Sequence, residues 1–473
     1  MTAELDRIAP ALEPLGELFG SAGHELALVG GPVRDAMLGR EHNDLDFATS
    51  ARPDDTERLL RGWAGRSSGP GAVWTMGRDF GTIGCRKGPW VVEVTTYRSE
   101  RYDPDSRKPS VDFGDSLEGD LGRRDFTVNA MAVSLTAGSG RDLVDPYGGV
   151  VDLAHRELRT PGRPEDSFSD DPLRMLRAAR FAAQLGFTVD PAVVAAMTAM
   201  AQRIEIISAE RIRDELVKLV LAPYPRAGLT LLVETGLAQL VLPELPALAL
   251  ERDEHHRHKD VYQHTLTVLE QSIDQESRLH GADFVSRFAA LMHDVGKPRT
   301  RKFVEGGQVT FHHHDVVGAK LTRQRMRALR FSTETTDAVA KLVELHLWFH
   351  GYGDGEWTDS AVRRYVRDAG DQLERLHVLT RADCTTRNHR KADRLRRTYD
   401  ELEDRIARLS EQEELASIRP DLDGTQIMEI LGVPAGPDVG RAYRFLLELR
   451  LDEGPKSEDA ARDALLAWWA EQG

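Results

Sequence analysis

The stretch LALVGGPVRDAMLGREHNDLDFAT, residues 26–49, decides the fold of this chain. Its first four residues are apolar and predict a short buried strand. Gly30 and Gly31 end that strand, and Pro32 suits the first turn of a helix because its φ is already helical. Free N–H groups at such a helix N-terminus favour phosphate, and Arg34 adds a fork of donors for phosphate oxygens. The Gly31 turn and Arg34 are therefore predicted to hold phosphate.

The second half of the stretch predicts a strand with two carboxylates on one face. Side chains alternate along a strand, so Asp44 and Asp46 point the same way while Leu45 and Phe47 point into the core. Two neighbouring carboxylates repel each other unless a cation lies between them. Mg²⁺ is the expected occupant, because it prefers oxygen ligands and completes its shell with waters and substrate phosphates. The Gly-Gly pair by itself could be an ordinary turn, and the two aspartates by themselves could lie in a solvated loop. Their succession in one strand–turn–helix–strand unit indicates chemistry on a nucleoside triphosphate.

GGPVRD followed by DLDF resembles the first signature of the nucleotidyltransferase superfamily, and more narrowly that of the class II CCA-adding enzymes and bacterial poly(A) polymerases. The resemblance covers nearly the whole chain and is strongest over residues 26–49, 121–131 and 169–187. It implies an α+β fold, with an N-terminal polymerase beta-like mixed sheet and helices, then an all-α neck, an HD-type body and a tail. The expected domains are a catalytic head at residues 1–150, a neck that recognises the base and RNA at 151–250, an HD-type domain at 251–400 and a helical tail at 401–473.

Residues 91–97 are rich in β-branched side chains and predict another strand. Its single acid, Glu93, either faces water at a sheet edge or joins the metal site. The resemblance favours the second interpretation, with Glu93 as a third carboxylate. Residues 98–120, rich in Asp, Ser, Pro and Gly, predict a mobile loop.

RRDFTVNA, beginning at Arg123, is the second signature. Asp125 is expected to cap a helix on which Asn129 lies one turn later. The resemblance assigns this motif to the triphosphate and ribose of the incoming nucleotide, for which Arg123, Arg124 and Asn129 supply donors. The alternative is a capped surface helix with a basic entry.

SDDPLRMLRAARF, beginning at Ser169, is the third signature. Pro172 suits a helix N-terminus, Asp171 and Arg174 are three residues apart and predicted to be neighbours on one face, and later arginines continue that stripe. A solvated charged face is the alternative. The resemblance implies that this segment reads the base of the incoming nucleotide, and the nucleotide-binding residues expected here are Asp171, Arg174, Arg177 and Arg180.

The physical basis of such base reading is simple. Cytosine and adenine both present an amino donor beside a ring-nitrogen acceptor, whereas uracil and guanine present the reverse. A carboxylate only accepts hydrogen bonds and a guanidinium only donates them. One Asp–Arg pair therefore suits C and A and leaves unsatisfied groups against U or G, without a nucleic-acid template.

Residues 251–400 carry most of the histidines and a second metal-type pattern. Its members are His264, the pair His293-Asp294, and Asp383. This order resembles the HD superfamily of metal-dependent phosphohydrolases, and the resemblance adds His314 and His346 as further ligands. Mixed imidazole and carboxylate ligands suit a transition metal such as Mn, Co, Ni or Fe better than Mg²⁺. The domain is expected either to hydrolyse phosphate esters or to serve as a helical RNA scaffold.

The net charge of the 473-residue chain is −15, so RNA contact requires a local basic patch. Residues 381–397 are the most basic stretch, and a solvated helix face is the alternative interpretation of it. The RNA-binding residues predicted there are Arg387, Arg390, Lys391 and Arg394.

Cysteine usage and hydropathy indicate the compartment. Cys85 and Cys384 are the only cysteines and lie far apart, which is typical of a protein of the reducing cytoplasm. The sequence shows neither a signal peptide nor an apolar run of membrane-spanning length. No protein partner is evident from the sequence.

The resemblance implies a CCA tRNA nucleotidyltransferase that adds C, C and A to the tRNA 3′ end from CTP and ATP and releases pyrophosphate. A poly(A) polymerase built from the same motifs is the nearest alternative, and addition of CC only or A only stays open. An HD phosphohydrolase whose head merely binds nucleotide, or a non-catalytic RNA-binding protein, would not need Asp44 and Asp46.

Overall fold

The structure, a computed structural model, covers most of the chain. The residues it describes are 1–65, 72–101, 110–113, 116–135, 141–249, 260–303, 309–351, 357–385, 389–413 and 418–472. Only the backbone is described at 98–101, 110–113, 350, 351, 389 and 391. The chain divides into two compact units, Met1–Val241 and Leu242–Gly473. The first contains a mixed sheet with helices and the second is mainly helical, which confirms the predicted α+β fold class. The finer four-domain division stays a prediction.

The strands of the first unit are, in chain order, β1 (Leu26–Val29), β2 (Asp44–Thr49), β3 (Val73–Trp74), β4 (Thr82–Lys87), β5 (Trp90–Thr96), β6 (Arg98–Arg101), β7 (Ser110–Phe113), β8 (Ala132–Ser134), β9 (Leu143–Val144), β10 (Glu157–Leu158) and β11 (Thr188–Val189). The described residues form one seven-stranded sheet in the order β3-β4-β5-β2-β1-β8-β9. β2 and β5 are parallel, and the other neighbours in this sheet are antiparallel.

The α-helices of the first unit are α1 (Thr2–Arg7), α2 (Ala9–Ser21), α3 (Gly31–Met37), α4 (Pro53–Ala64), α5 (Leu117–Gly122), α6 (Gly149–His155), α7 (Pro164–Asp170), α8 (Leu173–Leu185), α9 (Pro191–Met200), α10 (Ala209–Val220), α11 (Pro225–Glu234) and α12 (Leu237–Val241). α2 packs against β1 and α4 against β4. Phe19, Leu45 and Phe47 are buried in the resulting core, as the apolar alternation of β2 predicts, whereas Asp44 and Asp46 are exposed.

Residues 98–120 depart from the predicted loop. β6 and β7 pair antiparallel, and α5 follows with the Ser116 hydroxyl accepting the Gly119 N–H at 3.2 Å. Residues 102–109, 114 and 115 lie outside the described part of the chain. The loop prediction is wrong for β6, β7 and α5 because strand pairing and a helix cap supply order that polar composition does not reveal.

The elements of the second unit are β12 (Lys302–Phe303) and β13 (Val309–Thr310), and the helices α13 (Val261–Ile273), α14 (Phe284–Met292), α15 (Lys297–Thr300), α16 (His314–Ala328), α17 (Thr333–Leu345), α18 (Asp359–Ala369), α19 (Leu373–Ala382), α20 (His389–Gln412), α21 (Gly424–Leu431), α22 (Pro437–Glu453) and α23 (Glu458–Ala470). α14 packs against α13, α17 and α19, which brings distant polar residues together. In the described part of the chain, no helix combines the length and apolarity needed to cross a membrane.

Candidate functional site

A cleft of about 1090 Å³ opens in the first unit and brings the three sequence signatures together. The predicted residues on its wall are Gly31, Arg34, Asp46, Glu93, Arg123, Arg124, Asp125, Asn129, Asp171, Arg174, Arg177 and Arg180. These residues are widely separated in sequence, so only the tertiary fold can assemble them. Asp44 lies two residues before Asp46 on the same strand face and is exposed.

The phosphate turn depends on glycine at residue 30. Gly30 has a φ of 72°, which L side chains rarely adopt, and α3 begins at the next residue. A Cβ on Gly30 would also lie only 2.9 Å from Nη1 of Arg124. The Arg124 guanidinium therefore lies beside the turn from which α3 begins, which is a cationic setting for phosphate.

Arg34 lies deeper than the sequence prediction suggests. Its Nε and Nη2 donate to the Asp35 carboxylate, each at 2.9 Å, and its Nη1 donates to Oδ1 of Asn129 at 2.6 Å. The side chain is buried. In this arrangement Arg34 joins the first signature to the second while lining the cleft.

The carboxylates of the cleft lie side by side on parallel strands. Asp46 of β2 is the register partner of Glu93 of β5. Asp46 is exposed at the cleft wall, but loss of hydration within the cleft raises the pKa of its carboxyl to about 6. The Glu93 and Asp44 carboxylates add to this rise in pKa, whereas Arg124 and His42 oppose it. A carboxylate with like-charged neighbours gains most from a bound cation, so these residues fit a divalent metal. Among the described residues, however, Asp44, Asp46 and Glu93 do not bring three ligand atoms within 4.8 Å of one another.

The second signature forms a short 3₁₀ turn, Thr127–Asn129, rather than the predicted α-helix. Asp125 accepts the N–H of Phe126 at 2.9 Å and does not cap the turn in the expected way. Its buried carboxylate accepts the Asn129 side-chain amide at 2.9 Å and Nε of Arg177 at 2.8 Å. The prediction of a capped helix is wrong because Arg177, a partner distant in sequence, takes the carboxylate.

These partners also set the protonation of Asp125. Burial alone would raise the pKa of this carboxyl, but the Arg177 guanidinium and the Asn129 amide outweigh burial. The pKa therefore lies well below its ordinary value, and Asp125 is a permanent anion at neutral pH.

Arg123 and Arg124 share one buried carboxylate, that of Asp120 on α5. Nη2 of Arg123 lies 2.6 Å from Oδ1 of Asp120, and Nη2 of Arg124 lies 3.1 Å from Oδ2. Asp120 is absent from the sequence-predicted site. Its spacing of three and four residues from the two arginines was the available signal. It orients both guanidinium groups at the cleft wall.

Asp171 lies just outside α8, in extended backbone at the end of α7. Its Oδ1 accepts the Leu173 N–H at 3.1 Å, and its Oδ2 accepts Nη2 of Arg211 at 2.8 Å. The predicted placement of Asp171 and Arg174 one turn apart on a single helix face is wrong, because the helix begins only at Leu173. The carboxylate acts on the first N–H groups of α8 instead.

Arg174 is buried and uses different partners from Asp171. Its Nη1 donates to Oγ of Ser167 at 2.9 Å, and its Nη2 donates to the Arg123 carbonyl oxygen at 2.6 Å. Arg174 therefore connects the third signature to the second. Both Asp171 and Arg174 line the cleft, separated in their hydrogen bonding.

α10 supplies two partners for predicted site residues, and one of them, Arg211, lies on the cleft wall. Neither Arg211 nor Glu215 is among the residues predicted from the sequence. Arg211 pairs with Asp171, and Oε2 of Glu215, one turn later, lies 2.9 Å from Nε of Arg180. The Arg180 guanidinium carbon also lies 4.1 Å from the centroid of the Phe181 ring. Burial lowers the pKa of Arg180 to about 10. No local pattern links α8 to α10, so sequence spacing offered no signal for these pairs.

A second polar centre lies in the other unit. Two groups of three ligand atoms, each within 4.8 Å of one another, are His264 with His293 and Asp383, and Asp294 with His314 and His346. The four predicted HD residues thus converge, together with the two histidines that the HD resemblance added. The Asp294 carboxylate lies between the groups, 3.2 Å from Nε2 of His293 and 3.4 Å from Nε2 of His314.

The backbone orients the buried imidazoles of this centre. Nδ1 of His293, His314 and His346 lies 2.8, 2.8 and 2.6 Å from a main-chain carbonyl oxygen of its own segment. This contact fixes the tautomer and leaves Nε2 as the available ligand atom. All three Nε2 atoms are buried and without a hydrogen-bond partner in the described part of the chain.

Charge at this centre also suits a metal. Burial lowers the pKa of His346 to about 4, so its imidazole is neutral, the form that binds metals. Asp294 is held ionised, because the neighbouring His293, His314 and Lys297 side chains outweigh its burial and keep its pKa well below the ordinary range. Imidazole nitrogens around an ionised carboxylate match the ligand set of a first-row transition metal.

The predicted basic patch is described only in part. Arg390 and Arg394 are exposed and lie one turn apart on α20. Lys391 is described by its backbone alone, and Arg387 lies outside the described residues. Arg381, also in the basic stretch, pairs with Glu403 and Asp400.

Three known families match successive parts of the chain. Residues 26–159 match the family described as "Poly A polymerase head domain". Residues 186–248 match "Probable RNA and SrmB- binding site of polymerase A", and residues 261–388 match the HD domain. A nucleotidyltransferase head and an HD domain each imply dependence on a divalent metal.

Relatives span almost the whole chain. The A-adding tRNA nucleotidyltransferase of Deinococcus radiodurans is 35% identical over 455 residues, covering 94% of this chain and 96% of that protein. The CCA-adding enzyme of Streptococcus thermophilus is 30% identical over 434 residues, covering 92% and 90%. The crystal structure of the Bacillus stearothermophilus CCA-adding enzyme in complex with CTP matches with a TM-score of 0.70 and 25% identity over 98% of both chains.

The fold and the cleft thus define a nucleotidyltransferase, one in which a poly(A) polymerase head is followed by an HD domain. Within that class, the chain belongs to the class II CCA-adding enzyme and bacterial poly(A) polymerase family, as its full-length relatives show.

Proposed function

We propose that this chain is a CCA tRNA nucleotidyltransferase, which transfers CMP and AMP from CTP and ATP to the 3′ end of tRNA and releases pyrophosphate. The observation that carries the proposal is the single cleft on which all three signatures meet. Full-length similarity to tRNA nucleotidyltransferases supports tRNA as the acceptor.

The carboxylates Asp44, Asp46 and Glu93 would hold Mg²⁺ in the head. When bound, the metal supplies charge stabilisation at the reacting phosphate and at the attacking and leaving oxygens. The protein's own part is to gather the carboxylates by parallel pairing of β2 with β5. The raised pKa of Asp46, to about 6, supports this assignment, because a carboxylate that has lost hydration beside Glu93 and Asp44 is stabilised by a bound cation.

The triphosphate would lie against the turn before α3. Arg124 contacts this turn at Gly30, and Asp120 orients both Arg124 and Arg123. The backbone N–H groups that follow Gly31 add further donors. Asn129 and Asp125, held between Arg34 and Arg177, would contact the ribose side of the nucleotide.

Base selection would use Asp171 and Arg174, each positioned by partners of its own. Arg211 and the N-terminus of α8 hold the Asp171 carboxylate, whereas Ser167 holds Arg174. An acceptor and a donor placed independently on one cleft wall can still meet the amino group and ring nitrogen of C or A.

Labelled tRNA lacking its 3′ end, offered CTP, ATP or both, tests the proposal. A CCA-adding enzyme adds two residues with CTP alone and three with both nucleotides. Repeated addition with ATP alone identifies a poly(A) polymerase. Addition of a single A only to tRNA already ending in CC identifies an A-adding enzyme, and arrest after CC with both nucleotides identifies a CC-adding enzyme.

A metal-dependent phosphohydrolase activity in the HD domain is a second proposed function. Its support is the set of buried, unpartnered Nε2 atoms of His293, His314 and His346 around Asp294. Mn, Co, Ni or Fe would suit these ligands. Hydrolysis of a chromogenic phosphate ester after addition of each metal tests this function.

The RNA-binding surface and the cellular location are also proposed. The exposed Arg390 and Arg394 on α20 would contact the tRNA backbone. Unpaired Cys85 and Cys384 support a cytoplasmic location.

A further inference from the structure

One row of residues crosses four strands of the head sheet from the metal-binding carboxylates to a tryptophan. Asp46 pairs with Glu93, Glu93 pairs with Gly84, and Gly84 pairs with Trp74, on β2, β5, β4 and β3 in turn. Residues opposite one another on adjacent strands project from the same face of a sheet. Trp74 therefore stands on the catalytic face, in line with Asp46 and Glu93.

The indole of Trp74 lies over Gly84, the residue between Trp74 and Glu93 in this row. A Cβ on Gly84 would come within 2.0 Å of Cε2 and 2.1 Å of Nε1 of Trp74. The φ of Gly84 lies outside the left-handed region, so the backbone does not require glycine here. The indole does, because any side chain at residue 84 would displace the ring from its place over this residue.

Two more apolar side chains extend this surface. Met76 is 94% exposed and Phe80 is 49% exposed, and both line the cleft with the half-buried Trp74. A single exposed apolar residue is ordinary on a protein surface. Three together on the wall of a cleft otherwise lined by many charged side chains form an apolar surface suited to the face of a nucleic-acid base, since stacking on aromatic rings is a common mode of single-strand binding.

The order of the strands indicates which base this is. The sheet runs β3-β4-β5-β2-β1, so Asp46 and Glu93 lie between Trp74 and the phosphate turn that follows β1. In phosphoryl transfer the attacking and leaving oxygens lie on opposite sides of phosphorus. With the leaving pyrophosphate at the Gly31 turn, the attacking 3′-hydroxyl approaches from the side of Trp74.

We propose that Trp74, with Met76 and Phe80, is the stacking platform for the base of the acceptor RNA's 3′-terminal nucleotide. The proposal rests on the proposed function, since it requires an RNA 3′ end as the nucleophile. It adds an acceptor subsite, distinct from the residues assigned above to the incoming nucleotide. Stacking there holds the terminal ribose beside Asp46 and Glu93 without reading the base, because every base offers a π face.

Steady-state kinetics of the full-length enzyme tests this platform with Trp74→Leu, Trp74→Phe and, as the matched control, Trp90→Leu. Trp90 lies on β5 of the same sheet and is not part of the cleft wall. Trp74→Leu is expected to raise KM for tRNA lacking its 3′ end by about tenfold, the effect of one lost base stack. KM for CTP should stay unchanged, Trp74→Phe should resemble the wild type, and Trp90→Leu should leave KM for tRNA unaffected.

A chemically modified acceptor separates stacking from a change in fold. The same tRNA with an abasic 3′-terminal nucleotide should be used about tenfold less well by the wild type, and Trp74→Leu should cause no further loss on it. The platform is overturned if the abasic tRNA is used normally, if Trp74→Leu costs as much on it as on normal tRNA, or if only KM for CTP rises. If Trp74→Leu lowers the melting temperature, the platform is tested by the wild-type enzyme alone, from its activity on normal and on abasic tRNA.

Failure of the proposed function and failure of the platform give different results. A wild-type enzyme that adds nothing to tRNA removes the proposed function and the platform together. A wild-type enzyme that adds CCA while Trp74→Leu keeps a normal KM for tRNA removes only the platform.

Discussion

At the scale of the single residue, Asp46 combines two carboxylate neighbours with a raised pKa. It is the register partner of Glu93 and lies two residues from Asp44 on one strand face. Arg124 and His42 oppose the rise in its pKa. Such a carboxylate favours a divalent cation over a proton at neutral pH, and two predictions follow from its setting.

Asp46→Asn and Asp44→Asn should each abolish nucleotide addition while leaving the fold and tRNA binding near normal. Loss of a metal ligand removes several kcal/mol of transition-state stabilisation. Single-turnover rates and tRNA affinity measure the two effects separately. Asp54→Asn, an exposed residue of α4, is the matched control and should keep full activity. Near-normal turnover in either active-site variant would contradict the assignment.

The affinity of the head for Mn²⁺ should fall as the pH drops through about 6, where Asp46 gains a proton. Glu93→Gln removes a negative charge that raises the pKa of Asp46, so the midpoint of the metal-binding profile should move to lower pH. Calorimetric titrations between pH 5 and 8, with the HD ligand His293 replaced by Ala, give the midpoints. A flat profile would show that Asp46 does not compete with protons for the metal.

Asp171 has two separable effects, on the start of α8 and on the base. Asp171→Ala should lose discrimination against UTP and GTP and impair both CTP and ATP, because the acceptor that penalises a base carbonyl is gone. Relative incorporation of the four nucleotides by Asp171→Ala and Asp171→Asn measures selectivity. A purely structural role would instead cost about 1 kcal/mol of stability and leave selectivity intact.

Arg211 offers a companion test of the same site. If its contact aims the Asp171 carboxylate, Arg211→Ala should reproduce part of the selectivity loss. Arg213→Ala is the matched control, since Arg213 pairs with its neighbour Asp214. Unchanged selectivity in Arg211→Ala would mean that the N-terminus of α8 suffices to position Asp171.

At the scale of the element, a buried hydrogen-bonded chain ties α3 to α8. Arg34 of α3 donates to Asn129, Asn129 donates to Asp125, and Asp125 accepts from Arg177 of α8. This chain joins the phosphate turn to the helix that carries the third signature. The geometry of the proposed nucleotide site therefore depends on polar contacts between elements as well as on the strands themselves.

Asp125→Asn should lower the free energy of unfolding by about 2 kcal/mol at pH 7, because the buried Arg177 guanidinium loses its hydrogen-bonded carboxylate and keeps only the longer contact with Glu215. The pKa of Asp125 is lower in the folded protein than in the unfolded chain. Its stabilising contribution is therefore present above the unfolded pKa of about 4 and is lost as the pH falls below that value. Urea unfolding at pH 7 and pH 3 should show the difference between wild type and variant shrinking at low pH. An equal difference at both pH values would contradict an electrostatic origin.

At the scale of the whole molecule, each metal-type site is built within one of the two compact units. The carboxylates of the head come from β2 and β5, and the HD residues come from the helical unit. A substitution in one of these sites should therefore leave the activity of the other site unchanged.

His293→Ala should remove phosphohydrolase activity and bound transition metal while leaving nucleotide addition intact. His312→Ala is the matched control, because His312 is exposed and outside both ligand groups. Metal analysis of the purified protein and a phosphatase assay with added Mn, Co or Ni provide the measurements. Absence of bound metal, together with absence of hydrolysis, would reduce the HD domain to a scaffold.

The sequence by itself determined the features that depend on neighbouring residues. The apolar run of β1, the Gly30–Gly31 turn and the alternation of β2 follow from local chain geometry, so the strand–turn–helix–strand unit could be read directly. The spaced pattern from His264 to Asp383 likewise predicted the HD centre. The predictions for β1, the turn and β2 needed only the periodicity of strands and the conformational range of glycine. The prediction of the HD centre came from the resemblance of its residue order to the HD superfamily.

Only the tertiary structure decided which polar groups pair with which. Asp125 binds Arg177 instead of capping a helix as predicted. Asp171 pairs with Arg211 rather than lying beside Arg174 on one helix. Trp74 reached the catalytic face through cross-strand register. The physical reason is that a buried charge must find its partner in three dimensions, and several acceptable partners compete until packing brings one of them within hydrogen-bonding distance.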